Sequence, residues 1–453
     1  MPTRLQTHVS ISEEPARDIL HAVFFAVLFY LCAADQYFTT QFNGFNFRWG
    51  QFLLLGCALL SLGIEWVQSP VGASESGFLR RILKLWTVFF LCYALAALAS
   101  DFPRLTWIKW GWGLFNIGGA ALICLQSRWN QALRLGFKYA ILGIALTLWA
   151  EVLALYWFHI PFHTGYERAS FPLVLPFLNF SPVIGYVETS YSWMGTVFVR
   201  PNAFYYEPSY AGCALSFALP LVWALNLNQV KSAAVWQPAL VLSAVAITGS
   251  RSGLLGSFLC LLGLTTYAFL KNQLETKRRI FKTILATGLM ILVFLASGDS
   301  RKYMHFLFLG NLGAQNTIQR ITDPKSSEGG RVVNQLITFR QCLEHPWLGT
   351  GVVPASPGSG HELGQANLNT WLEIGLEAGL LGLLGFLFAV VSTMREAWRQ
   401  SAESSPRIWV IAAWAVHFLV NLNFTQSFPR LDYWLLFFLS ISLLAQTGRQ
   451  KLS

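Results

Sequence analysis

Residues 233–270 read AAVWQPALVLSAVAITGSRSGLLGSFLCLLGLTTYAFL. Two apolar runs meet at Thr248-Gly249-Ser250-Arg251-Ser252-Gly253, and Arg251 is the one charged residue in the stretch. Apolar runs of roughly 20 residues are long enough to cross a bilayer as helices. In hydrocarbon every backbone N–H and C=O must be satisfied inside the segment, so a helix is the physical choice over an open sheet. The stretch therefore predicts a membrane-embedded helical hairpin with an arginine at its tip.

The same pattern recurs along all 453 residues. Hydrophobic residues make up 54% of the chain and charged residues 12%, with a mean hydropathy of +0.47. Soluble proteins carry about 25% charged residues. The deficit excludes a disordered chain and a nucleic-acid binder, and argues against a soluble enzyme. We place apolar spans near 19–34, 50–67, 84–100, 106–126, 137–159, 204–226, 233–249, 252–270, 280–297, 367–394, 407–424 and 431–446. The expectation is an all-α polytopic membrane protein with about 12 transmembrane helices. The first run follows a tail with charges of both signs and reads as an uncleaved span.

Lys and Arg then orient the chain, because short cytoplasmic loops collect them. With the N-terminus inside, inner segments hold Arg4 and Arg17; Arg80, Arg81 and Lys84; Arg128, Arg134 and Lys138; and Lys231. Further on they hold Lys271, Lys277, Arg278, Arg279 and Lys282; Arg395, Arg399 and Arg407; and Arg449 and Lys451. These are 19 of the 32 cations. Short outer loops keep only Arg48, Arg104, Lys109, Arg251 and Arg430. Both termini are expected in the cytoplasm. Two long outer segments remain, 160–203 and 298–366, the second a large loop between spans nine and ten. The first is rich in Pro, Phe, Tyr and Trp and suits the membrane interface. Loops of this length in a compact protein are usually functional.

Four outer clusters carry the candidate chemistry. In the first, Arg200 precedes Glu207 by seven residues at the edge of a span, and Pro208 is placed to open the helix. The bland reading is an interfacial Arg and a capping Glu. The second is Arg251 at the hairpin tip, which either snorkels to headgroups or faces a cavity. The third is Gly329-Gly330-Arg331, leading into apolar residues at helical spacing from Val332 to Leu343. An amphipathic helix lying on the membrane would show this spacing. Arg331 stands at the helix end where the dipole disfavours a cation, so an anionic partner would account for it. His345 before Pro346 reads as turn punctuation. The fourth cluster holds His361 in a Gly-rich loop, then Glu373 and Glu377 one helical turn apart. His is the commonest general base. The paired Glu residues could face an interior cavity or bond between helices. The cysteines form no C-x-x-C pair, and no acidic cluster suits a metal, so neither metal nor cofactor is expected. Three outer arginines suit a phosphate or pyrophosphate through planar, bidentate contacts.

Ser250-Arg251-Ser252-Gly253, Gly330-Arg331, His345-Pro346-Trp347-Leu348-Gly349-Thr350-Gly351 and Asn369-Thr370-Trp371-Leu372-Glu373 with Gly379-Leu380-Leu381-Gly382 stand in this order on a layout of many spans. In order and topology they resemble the O-antigen ligase / O-antigen polymerase superfamily, from about residue 180 to 440. The resemblance implies a GT-C-like, metal-independent glycosyltransferase of the bacterial inner membrane with its active site facing the periplasm. It implies an undecaprenyl-pyrophosphate-linked glycan donor. The acceptor would be another lipid-linked repeat unit for a polymerase, or lipid A–core for a ligase. Membrane lipids and a partner that sets chain length are the other implied partners. It carries a pyrophosphate-holding role onto Arg200, Arg251 and Arg331, and the base role onto His361. Family members usually place His directly before the Asn that opens the tenth span. Here Leu368 precedes Asn369, which raises Glu207 as the alternative base. Glu207-Pro208-Ser209 after Arg200 looks more like polysaccharide polymerases, so polymerisation of O-antigen or exopolysaccharide repeat units is the leading expectation. A ligase comes second. A transporter of lipid-linked oligosaccharide is the reading from another class.

Overall fold

The computed structural model describes residues 14–33, 39–42, 45–48, 52–53, 56–57, 59–60, 73–126, 130–160, 169–170, 173–175, 178–184, 189–193, 196–201, 203, 205, 208–226, 233–311, 322, 327–353, 369–401, 406–424 and 430–447. Long helices dominate them. The first half holds α1 (Glu14–Ala33), α2 (Ala73–Leu98), α3 (Pro103–Cys124), α4 (Asn130–Tyr156), α5 (Pro208–Leu225) and α6 (Ala233–Thr248). The second half holds α7 (Arg251–Leu270), α8 (Leu274–Phe294), α9 (Gly298–His305), α10 (Ser327–Glu344), α11 (Thr370–Gln400), α12 (Pro406–Val416) and α13 (Leu431–Thr447). A π-helical turn, His417–Asn421, extends α12. This is a helical, polytopic membrane fold.

Every expected span except 50–67, most of which lies outside the described residues, coincides with a helix. The number 12 is a different matter. Among the described residues, six helices are long and apolar enough to cross a membrane, or seven if α8 and the helical segment after it, bent by 120°, count as one span. Ile19–Ala33, Ala233–Thr248 and Leu431–Ala445 are apolar but shorter. Hydropathy sees runs, whereas helix length is cut by turns, such as the one that ends α6 at Thr248.

The expectation of helices alone also missed two small sheets. Strands β1 (Thr39–Phe42) and β2 (Phe45–Arg48) form a hairpin with Phe42 opposite Phe45. From the first long outer segment come β3 (Ala169–Ser170), β4 (Leu173–Leu175) and β5 (Leu178–Ile184), and β5 pairs antiparallel with β1. Strands β6 (Thr189–Trp193) and β7 (Thr196–Arg200) form a separate hairpin with Trp193 opposite Thr196. The local signals were there. Asn43-Gly44 and Met194-Gly195 are two-residue connections with a glycine, and Asn-Gly is a strong hairpin signal. The aromatic, β-branched composition that reads as interfacial also favours strands.

Helix packing in lipid relies on close approach of small residues rather than on the hydrophobic effect. The crossing of α5 and α7 shows it. A Cβ added to Gly253 would lie 2.7 Å from the Gly212 backbone, and one on Gly212 would lie 2.4 Å from Ser250 Cβ. The backbones therefore touch there, and this fixes the start of α7 against the start of α5. Elsewhere aromatics fill the core. Trp86, Phe386 and Trp434 join α2, α11 and α13, with Trp86 packed edge-on against both of the others. His417 is fully buried and stacks on Phe217 at 4.7 Å.

Candidate functional site

The hairpin tip forms as its residues dictate. Helix α6 ends at Thr248, and Gly249 takes a left-handed φ of 58°, which a glycine accepts without steric cost. Ser250 N-caps α7, its side chain accepting from Gly253 N at 3.0 Å. Arg251 is thus the first residue of α7 and stays half-buried. Arg200 ends β7 and is buried, and its Nε donates to the Thr248 carbonyl at 2.7 Å. Two of the predicted arginines therefore meet around one turn, one at the last carbonyls of α6 and one at the first turn of α7. The N-terminus of α7 adds the positive end of its dipole there, which favours an anion.

The start of α5 is tied to the same turn. Pro208 opens that helix as expected. Ser250 Oγ donates to the Ser209 carbonyl at 3.4 Å, and Cys213 Sγ donates to Ser252 Oγ at 3.1 Å. Glu207 and His361, the two expected bases, lie outside the described residues. Arg331 is half-buried on the second turn of α10, a different element that packs on α11. Helix α10 spans the expected amphipathic segment. Val332, Leu336, Phe339 and Leu343 form an exposed apolar stripe along it, while Thr338 is packed inward.

Two cations assigned to short outer loops do something else. Arg430 is 5% exposed and holds Asp432 with two contacts, Nε–Oδ1 at 3.1 Å and Nη2–Oδ2 at 3.2 Å. Its guanidinium lies over the rings of Tyr210 at 4.6 Å, Tyr205 at 5.3 Å and Tyr433 at 5.4 Å. Such cation–π contacts strengthen as water is removed. The Tyr433 hydroxyl donates to the Tyr210 carbonyl at 3.4 Å. Arg430 therefore fastens α13 to the residues on either side of Glu207.

Lys109 is the second. It lies 4% exposed on α3, and its ammonium reaches Glu373 Oε1 at 2.5 Å and also binds Glu377 Oε1. Tyr93 of α2 donates to Glu377 Oε2 at 2.5 Å. Glu373 and Glu377 are 3% and 4% exposed. Of the two readings the spacing of these Glu residues allowed, the helix-to-helix bond is the one present. Its partner Lys109 escaped sequence reading because a cation near the edge of an apolar run counts as a loop residue. The signal that could have found it is its place inside the apolar run, since ionisable residues at membrane depth pair with one another.

These contacts join helix ends that the charge count assigns to one side. The start of α5 meets the starts of α7 and α13, and the end of α2 meets the start of α11. No curated protein matches the sequence. Residues 239–387, which include the hairpin tip, α10 and the first half of α11, match the family described as O-antigen ligase. On that segment, about a third of the chain, the protein is similar to the O-antigen ligase / O-antigen polymerase superfamily.

Proposed function

We propose that the protein is a glycosyltransferase that moves a glycan from undecaprenyl pyrophosphate to a sugar hydroxyl on the periplasmic side of the bacterial inner membrane, joining lipid-linked repeat units. The observation that carries this reading is the convergence of Arg200 and Arg251 on the turn at 248–251. In the proposed step the acceptor hydroxyl oxygen bonds to the anomeric carbon while the bond from that carbon to the pyrophosphate oxygen breaks. The bonding pair leaves with the lipid pyrophosphate, and the hydroxyl proton passes to Glu207 or His361. Arg200 and Arg251, with Arg331 as a third, oppose the charge that grows on the leaving group. Fixed cations in a site withdrawn from water do this at no cost in reorganisation, so the reaction as proposed needs no metal. The exposed stripe of α10 rests on the outer leaflet and keeps Arg331 near headgroup level.

The test is incubation of the purified protein with a lipid-pyrophosphate-linked repeat unit. A ladder of longer glycans supports polymerisation. The family match favours a second reading, ligase activity, for which the product would be glycan on lipid A–core. Absence of both products rejects the proposal.

A further inference from the structure

The segment after α10 and the first half of α11 form one assembly. Helix α11 breaks at Gly379, which has φ 61° and ψ −162°. The segment after α10 fills the break. Leu380 N donates to the Pro346 carbonyl at 2.7 Å, Leu381 N to the Trp347 carbonyl at 3.2 Å, and Thr350 N to the Leu376 carbonyl at 2.7 Å. Backbone groups freed by the break are thus satisfied by residues 346–350, as buried backbone groups require. The fit admits no side chain at two points. A Cβ on Gly379 would sit 2.4 Å from the Trp347 carbonyl oxygen, and one on Gly349, itself at φ 68°, would sit 2.3 Å from the Leu376 carbonyl oxygen.

The far side of this segment is held as well. Asp101 N and Ser100 Oγ both donate to the Thr350 carbonyl at 3.2 Å, and Val352 N donates to Thr106 Oγ1 at 2.9 Å. The segment is therefore clamped between α11 and the turn that joins α2 to α3. The same three helices are stapled by Tyr93, Lys109, Glu373 and Glu377, and Glu377 lies two residues before the break.

We infer that Lys109, Glu373 and Glu377 are positioning residues for the proposed transfer. Their cluster fixes the broken turn of α11, the turn holds residues 346–350, and these anchor the end of α10, the helix that carries Arg331. The inference rests on the proposed function only for the role of Arg331. The clamp itself is independent of it.

The experiment has two arms. The structural arm uses Gly375→Cys, whose Cβ would stand 3.5 Å from Cys342 Sγ of α10 in otherwise open space. Diamide should link Cys342 and the new thiol, read as a disulfide-linked peptide by mass spectrometry. Adding Lys109→Met or Gly379→Ala should reduce the yield at least about threefold, and Lys109→Arg, which keeps the charge, should restore most of it. Equal yields in all of these forms overturn the clamp. Should Lys109→Met fail to insert, the neutral triple change of Lys109, Glu373 and Glu377 to Gln takes its place, since it leaves no unpaired buried charge.

The kinetic arm combines Lys109→Met with Arg331→Ala. Each alone should lower kcat/KM by about tenfold, and the double variant should be no worse than the poorer single one, because both remove the same contact. A merely structural cluster would give multiplicative losses, which overturns the positioning role. If no form, wild type included, turns over a lipid-linked donor, the proposed function fails while the crosslinking still decides the clamp.

Discussion

Two charged regions lie at the ends of these helices, and they are built differently. Around Lys109 the ammonium meets two carboxylates, and all three groups are within 4% of full burial. At the hairpin tip Arg251 is half-buried and opens a helix, and Arg200 caps a helix end through a backbone carbonyl. The first arrangement consumes its charge internally. The second gathers two cations and a helix N-terminus at one turn. Buried charge that is neutralised in place stabilises or positions, whereas positive charge gathered at a helix start suits an incoming anion. The Arg430–Asp432 pair belongs with the first kind, although it stands beside the second.

The largest effect expected from breaking this contrast is on stability. Lys109→Met would leave Glu373 and Glu377 buried without their cation, which costs about 3–5 kcal/mol. Thermal unfolding in detergent should show the loss, and a melting temperature equal to wild type would contradict the pairing. Next comes the hairpin tip. Arg251→Ala should lower the transfer rate by about 10²–10³-fold, the scale for removing one stabilising donor from a reaction centre. Its melting temperature should hardly move, so thermal unfolding should separate the two regions. An unfolding defect with normal turnover per folded molecule would erase the distinction.

A smaller effect belongs to Gly379→Ala. The left-handed φ costs a non-glycine residue about 1–3 kcal/mol, and the contact with Trp347 adds to it. Unchanged thermal stability would mean that the break is not held by residues 346–350. The smallest concerns Cys342 on α10, where burial pushes the thiol up to about 11 from its ordinary 9.0. Alkylation by iodoacetamide should be slow at pH 7 and speed up by about tenfold per pH unit until the thiolate dominates. The folded value lies above the unfolded one. Any stability gained from this thiol is therefore complete below about pH 9 and lost as pH rises through about 11. Fast labelling at pH 7 would show that α10 is not packed on α11 as described.

The sequence revealed the helices well because hydropathy is a local property. It also showed the turn at 248–253 and the opening of α5 at Pro208, because Gly, Ser and Pro act within a few residues. It showed less of the pairing. Lys109 and its two carboxylates are 264 and 268 positions apart along the chain. No periodicity links them, and a cation at a span edge looks like loop. Glu373 and Glu377 were visible as a pair through their spacing, but their partner was not. The docking of residues 346–350 into the break at Gly379 was equally hidden. The glycines at 349 and 379 stood in the motifs, yet nothing local says that one backbone closes on the other. The strands escaped because aromatic content was assigned to the membrane interface, although Asn43-Gly44 marked a hairpin.

The central claim is that Arg200 and Arg251 together hold a lipid pyrophosphate. Its most direct test is binding of a polyprenyl pyrophosphate to the purified protein, with the polyprenyl monophosphate as competitor. The wild-type protein should prefer the pyrophosphate, and the Arg200→Gln/Arg251→Gln variant should lose that preference while remaining folded. An undiminished preference for pyrophosphate in the double variant would contradict the account.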